Sequence, residues 1–309
     1  MKTYLALSAG GERAALMLGM VEQLLADAPR NTNYDEIAGI SAGALVGTMV
    51  AQTPKHDPAA FARNIARMKK YIASDFKPMK QWVHGSRLNA VDAFMFHSSL
   101  YKNLDPLMDI LYDEAALRKS GRTLIVGAYD RDQCKYVSFN STDCMDVMKK
   151  AIAASASVPV AFPAIKLYGS SFQDGGMRHI IPVEEIAQWA KQDGQKHITL
   201  LLAYPLALKQ FMDCNVRQSK GMLSEVEKTV TDIMYTHLES DLRELAGIVG
   251  VSYEDLTKTP SQTLELGDLT LRLISPDHLR YGSFTSMTPE STMALVSIGK
   301  EAAREQGTQ

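Results

Sequence analysis

The chain has 309 residues, 46% hydrophobic and 22% charged, with 33 Lys and Arg against 35 Asp and Glu for a net charge of −2. That balance fits a soluble globular enzyme and excludes a nucleic-acid partner, since there is no long basic run and no reading motif. No stretch approaches the roughly eighteen apolar residues that cross a bilayer. Cys134, Cys144 and Cys214 are scattered, so they form neither a disulfide framework nor a zinc site and fit a reducing, cytoplasmic location. No Gly/Ser/Pro-rich linker divides the chain, so one α/β domain is expected: a core over residues 1–205 and a mainly helical part, 206–309, packed on it.

Residues 3–8 read as an apolar strand, although 1–9 mimic a short signal peptide until Glu12 and Arg13 interrupt them. Ser8-Ala9-Gly10-Gly11-Glu12-Arg13 then ends the strand in adjacent glycines and opens a helix over 13–26, with Ala15, Leu18, Val21, Leu24 and Leu25 on one face. Free N–H groups at such a helix start stabilise an anion. A dinucleotide-binding turn is the competing reading, but Gly-x-Gly-x-x-Gly is not met, because Ala9 and Ala14 stand where glycines are needed.

A second strand, 34–38, runs into Gly39-Ile40-Ser41-Ala42-Gly43. Glycines two residues either side of a serine permit the strained strand-to-helix turn that presents a nucleophile, and small Ala42, Gly43, Ala44 and Gly47 let the following helix lie close to a sheet. Chance produces such a string readily, so the strand before it and the helix after it carry the weight. Ser41 is the candidate nucleophile. It stands on the second strand, too early for the α/β-hydrolase order, where the oxyanion loop follows the third.

Residues 58–76 read as a helix with Phe61, Ile65, Met68 and Ile72 on one face and Arg63, Arg67, Lys69 and Lys70 making it basic; Trp82, Phe94, Met95 and Phe96 follow. Packing on the core is the favoured reading, and a cap touching an anionic membrane surface is the other. Further on, 151–163 is a small-residue helix running into a double-proline loop, and Ser170-Ser171-Phe172-Gln173-Asp174-Gly175-Gly176 sets a carboxylate at a strand end in a glycine turn. An Asp-Gly pair alone is often only a hairpin. None of His56, His84, His97, His179, His197, His237 and His278 lies in a catalytic or metal-ligand motif, although His179 would suit a Ser-Asp-His order. Residues 198–203 read as a buried strand, Ser224-Glu225-Val226-Glu227 as a capping box before a helix, and Thr288-Pro289 as the cap of the last. No calcium loop is present, so neither a metal nor a cofactor is expected.

These blocks, in this order, resemble the patatin-like phospholipase family over about the first 190 residues. The stretch from Ser99 to Leu107 and the terminal helix at 295–302 are similar to the family as well. The resemblance implies a three-layer α/β fold with a central, mostly parallel sheet flanked by helices, plus a helical C-terminal extension. It implies a Ser-Asp dyad of Ser41 and Asp174, with Gly10, Gly11, Glu12 and Arg13 at the oxyanion hole and Gly39, Gly43, Gly175 and Gly176 as motif support. It also implies a phospholipase A-type acyl hydrolase working on phospholipid or another lipid ester, with peripheral membrane contact and, as in several toxins of the family, an activating protein partner. A small-ester or thioester hydrolase on the same dyad, or a catalytically idle lipid- or partner-binding module, are the alternatives. Two departures stand out. Ala9 and Ala14 replace outer glycines of the loop, and Ile180-Ile181-Pro182 replaces Asn-Asn-Pro, which removes a polar anchor behind Asp174.

Overall fold

The computed structural model describes residues 1–28, 32–74, 104–159, 162–206, 222–277 and 289–304. His84, His97, His278, Trp82, Phe94, Met95, Phe96, Ser99, Cys214 and Thr288 lie outside the described residues, as do the side chains of Ile72 and of the capping box at Ser224 and Glu227.

In chain order the elements are β1 (Lys2–Leu7), α1 (Ala14–Asp27), β2 (Glu36–Ile40), α2 (Ala42–Ala51), α3 (Pro58–Ser74), α4 (Asp105–Leu111), α5 (Glu114–Ser120), β3 (Thr123–Asp130), β4 (Lys135–Asn140), α6 (Met148–Ser155), β5 (Ile165–Leu167), β6 (Ser170–Asp174), α7 (Val183–Ala190), β7 (Lys196–Leu201), α8 (Met222–Val249), α9 (Tyr253–Leu256), β8 (Ser261–Leu266), β9 (Leu269–Ile274) and α10 (Pro289–Arg304). The strands form one sheet in the order β5-β6-β3-β2-β1-β7-β9-β8, with β4 also on β3. Its centre, from β3 through β2, β1 and β7 to β9, is parallel; both margins are antiparallel.

Helices cover both faces of the parallel centre, so the central strands are apolar on both sides: Tyr4, Leu5, Ala6 and Leu7 of β1 are fully buried. The first apolar stretch of the chain is thus the middle of the sheet. Trp189 of α7 stacks on Tyr4 with ring centroids 4.7 Å apart, fixing that helix on the strand. On the α1 side, α3 buries Phe61, Ile65 and Met68, while Lys69 reaches Glu22 of α1 at 3.0 Å and Lys300 of α10 meets the same carboxylate at 2.8 Å. The apolar stripe of α3 therefore packs on the core, and its basic residues Arg63, Arg67 and Lys70 face outward.

The C-terminal part differs from the sequence expectation in one respect. It carries the helices α8 and α10, and it also supplies β8 and β9, with β9 parallel to β7 from Lys196↔Leu269 to Leu201↔Ile274. Leu271, Leu273 and Ile274 are fully buried, so β9 completes the parallel core. The reason is hydrophobic: without β9, the β7 edge would expose apolar side chains and an unpaired row of backbone groups.

Candidate functional site

The sheet register brings the candidate nucleophile and base together. Ile40, last in β2, pairs with Gly127 of β3, and the next β3 residue, Ala128, pairs with Asp174 at the end of β6. Ser41 and Asp174 therefore leave their strands at the same level, on either side of β3, about two strand spacings apart along the backbone.

Ser41 has φ 54° and ψ −119°, a left-handed conformation that costs a non-glycine residue on the order of 1–3 kcal/mol. The fold holds it there by close approach and by hydrogen bonding. A Cβ at Gly39 would meet the Gly43 carbonyl, and one at Gly43 would meet the Leu7 carbonyl, so only glycine lets α2 start this close to β1 and β2. The Ser41 N–H donates to Ser155 Oγ at 2.9 Å, and the Ser155 hydroxyl donates in turn to the Gly127 carbonyl at 2.6 Å. Ser155 ends α6, within the small-residue segment singled out from the sequence.

Asp174 is 4% exposed. Its Oδ1 accepts the Gly176 N–H at 2.8 Å, which bends the chain into the turn, while Oδ2 is buried with no hydrogen-bond partner. Burial pushes its pKa up from 3.8 to about 7; the nearby Ser41 hydroxyl and the Gly176 amide pull the other way and only partly offset it. The Ser41 hydroxyl thus lies beside the Asp174 carboxyl, while no hydrogen bond is made to Oδ2.

The glycine loop lies beside this pair. Gly10 precedes a 3-10 turn, Gly11–Arg13, that runs into α1, so the leading amides of the turn have no intrahelical acceptor. Gly11, at φ 56°, lines the same pocket as Ser41 and Asp174. The Ala9 N–H donates to the Ile180 carbonyl at 2.8 Å, joining the loop to the segment after Asp174. Arg13, implied at the oxyanion hole, has a buried side chain. It is 7% exposed, lies 3.8 Å from Glu12 and stacks its guanidinium 4.8 Å over the Tyr204 ring. It fastens the loop to the core.

The pocket is lined by Gly11, Ser41, Val158, Pro159, Asp174, Gly176, Met177, Ile233 and Met234. Two of its walls, Ile233 and Met234, come from α8. Ile233 is 39% exposed, and an exposed isoleucine at a pocket rim is suited to an apolar ligand.

A polar anchor behind Asp174 is present after all, from a residue that no local motif marks. Asp241 of α8, 2% exposed, accepts the N–H groups of Ile180 and Ile181 at 2.5 and 2.9 Å and meets His179 Nδ1 at 2.8 Å. His179, Asp241 and Glu244 bring possible metal-ligating atoms within 4.8 Å of one another, but both Asp241 oxygens are already committed to protein donors. Burial disfavours the charged form of His179, yet its bond to Asp241, helped by Glu244 and Glu184, raises its pKa overall.

Among known proteins, the family model described as patatin-like phospholipase matches residues 5–187. No curated protein matches the chain significantly. Of solved structures, VipD from Legionella pneumophila is similar with 11% identity and a TM-score of 0.41, over 98% of this chain and 66% of that one. Human GIVD cytosolic phospholipase A2, in complex with methyl gamma-linolenyl fluorophosphonate, is similar with 9% identity and a TM-score of 0.47, over 99% of this chain and 57% of that one. The chain thus spans less than two thirds of the length of either.

Proposed function

Because the chain belongs to the patatin-like phospholipase family, we propose that it is a serine acyl hydrolase of the phospholipase A type, cleaving lipid esters with Ser41 and Asp174. The observation that carries this reading is a strained serine facing a buried carboxyl oxygen that has no protein partner, both in one apolar pocket.

In the reaction, Ser41 Oγ attacks the acyl carbonyl while its proton passes to Asp174 Oδ2. A base of pKa near 7 is half ionised at neutral pH and strong enough to take that proton. The negative charge on the carbonyl oxygen is stabilised by amides of the loop at Gly10, Gly11 and Glu12. The tetrahedral species collapses, the C–O bond to the alcohol breaks, and Asp174 returns the proton to the leaving oxygen. Water, deprotonated by the same carboxylate, then attacks the acyl-enzyme; the bond to Ser41 Oγ breaks, the fatty acid leaves and Asp174 returns the proton to Ser41.

The apolar lining from Val158, Pro159, Met177, Ile233 and Met234 favours a lipid acyl chain over a small soluble acyl group. No described helix is long and apolar enough to cross a membrane, and contact with lipid is proposed as peripheral.

The test is labelling by a fluorophosphonate, which reacts with activated serines, together with mass analysis of lipids incubated with the protein, with and without cell extract that can supply an activating partner. Labelling at Ser41 and release of fatty acid from phospholipid are expected. Absence of both, with and without extract, would overturn the reading.

A further inference from the structure

We infer that Asp241 is a positioning residue for the site: from α8 it clamps the backbone that follows the Asp174 turn, and His179 serves that clamp rather than acting as a base. The inference rests on the Ser41–Asp174 reading proposed above and names what holds its base in place.

The hydrogen bonds run outward from one carboxylate. Asp241 Oδ2 holds the Ile180 and Ile181 amides, and its Oδ1 holds His179. The backbone N–H groups of Arg178 and His179 return to the Gly175 carbonyl at 2.9 and 3.0 Å, next to Asp174. The Ile180 carbonyl accepts the Ala9 N–H, at the mouth of the glycine loop. A single buried charge on α8 thus fastens both the base-bearing turn and the loop proposed as oxyanion hole. Charge-assisted bonds to backbone amides are stronger than neutral ones, and removing their acceptor leaves buried donors unpaired. Two turns earlier on the same helix, Ile233 and Met234 wall the pocket, so the element that contacts the acyl group also sets the catalytic turn.

His179 has no path to Ser41. Its Nδ1 is taken by Asp241, its Nε2 lies 3.9 Å from Glu184 Oε1, and its ring meets Tyr136 edge-on at 5.1 Å. It does not line the pocket. The charged and titratable groups around the clamp are Arg178, Glu184 from the first turn of α7, Tyr136 of β4, and His237 and Glu244 of α8. Around Asp174 they are Tyr204, with Arg13 and Glu12 behind it, and His237 of α8 against the Gly176 backbone.

The experiment compares the full-length protein with Asp241→Ala, Asp241→Asn and His179→Gln, reading the rate of fluorophosphonate labelling at Ser41 against pH. In the unsubstituted chain, labelling should rise with pH through the Asp174 transition near 7. Asp241→Ala should slow labelling on the order of 10²-fold, the scale of a misplacement of about 1 Å in a catalytic group. It should also move the transition toward the ordinary carboxylate range, because a loosened turn admits water to Asp174. Asp241→Asn keeps an acceptor for the amides and should fall between, with a loss of about threefold to tenfold and a shift of the same sign. His179→Gln should leave the transition in place and cost less than about tenfold. Hydrogen exchange at residues 175–181 should quicken in the same order as labelling slows.

Should Asp241→Ala fail to fold, Asp241→Asn decides alone: a wild-type rate with an unmoved transition would overturn the clamp. Loss of labelling in His179→Gln would also overturn it, by making His179 the base. An unsubstituted protein that never labels at Ser41 would instead overturn the dyad, and the positioning role with it.

Discussion

The Ser155 hydroxyl bridges the Ser41 amide and the Gly127 carbonyl, accepting at 2.9 Å and donating at 2.6 Å, although 114 residues separate the two serines. Ser155 is fully buried, so no water replaces it. The bond holds Ser41 in its left-handed conformation and ties the end of β2 to the middle of β3.

Ser155→Ala should therefore act at a distance from any substrate. It leaves a buried donor and a buried acceptor unpaired and should lower folding stability by about 1–3 kcal/mol. With the elbow free to relax, labelling of Ser41 should slow as well. Chemical denaturation and labelling rate measured together check this; wild-type values in both would show that the elbow is held by its glycines alone.

If Ser41 and Asp174 act as a unit, Ser41→Ala and Asp174→Asn should each lower turnover by roughly 10³-fold or more, and the double variant should lose little beyond either. Lipid hydrolysis by the three variants is the measurement. Additive losses would mean that the two residues serve separate steps.

Much of this geometry is legible in the sequence because it is local. The strand before Ser41, the glycines around it and the Asp174-Gly175-Gly176 turn each need specific residue types within a few positions, and β1, α1 and β2 follow from apolar periodicity. What is not legible depends on distant pairing. Asp241 lies 60 residues beyond Ile181, in a helix whose polar positions look like any solvated face. Nothing in Ile180-Ile181-Pro182 says which side chain replaces the missing polar anchor. Likewise Arg13 next to Glu12 reads as a charged helix start, and only the packing of Tyr204 over it turns it into a buried fastening. The β8–β9 hairpin does carry a local signal, since Leu264, Leu266, Leu269, Leu271 and Leu273 alternate around Gly267-Asp268, but that signal is short and stands in a region dominated by helical stripes.

The raised pKa of Asp174 gives a stability prediction with a definite sign. A carboxyl whose folded pKa, about 7, lies above its ordinary 3.8 favours the fold fully below the lower value. That contribution is lost as pH rises toward and through the upper one, because only the unfolded chain ionises freely. Asp174→Asn does not titrate. Relative to wild type it should gain stability between about pH 4 and pH 8, on the order of a few kcal/mol, and the difference should level off above the folded pKa. His179 titrates in both proteins and cancels in the comparison. Denaturant unfolding of the two across that range is the check, and a difference that stays constant with pH would show that Asp174 is already ionised in the folded protein.

Ile233 offers a test of lipid against small-ester specificity that leaves the dyad untouched. Its side chain lines the pocket yet is 39% exposed, so replacing it by a polar residue removes apolar wall at little cost to the fold. Each buried methylene of an acyl chain is worth about 0.8 kcal/mol, so the loss should grow with the length of chain that rests on this wall. Ile233→Asn should lower kcat/KM for long-chain esters by roughly tenfold while short soluble esters, which do not reach the wall, keep theirs. The measurement is kcat/KM over a series of acyl lengths in both proteins. An equal loss at every length would move the acyl chain away from α8, and a wild-type preference for the shortest esters would favour the small-ester hydrolase over the lipid enzyme.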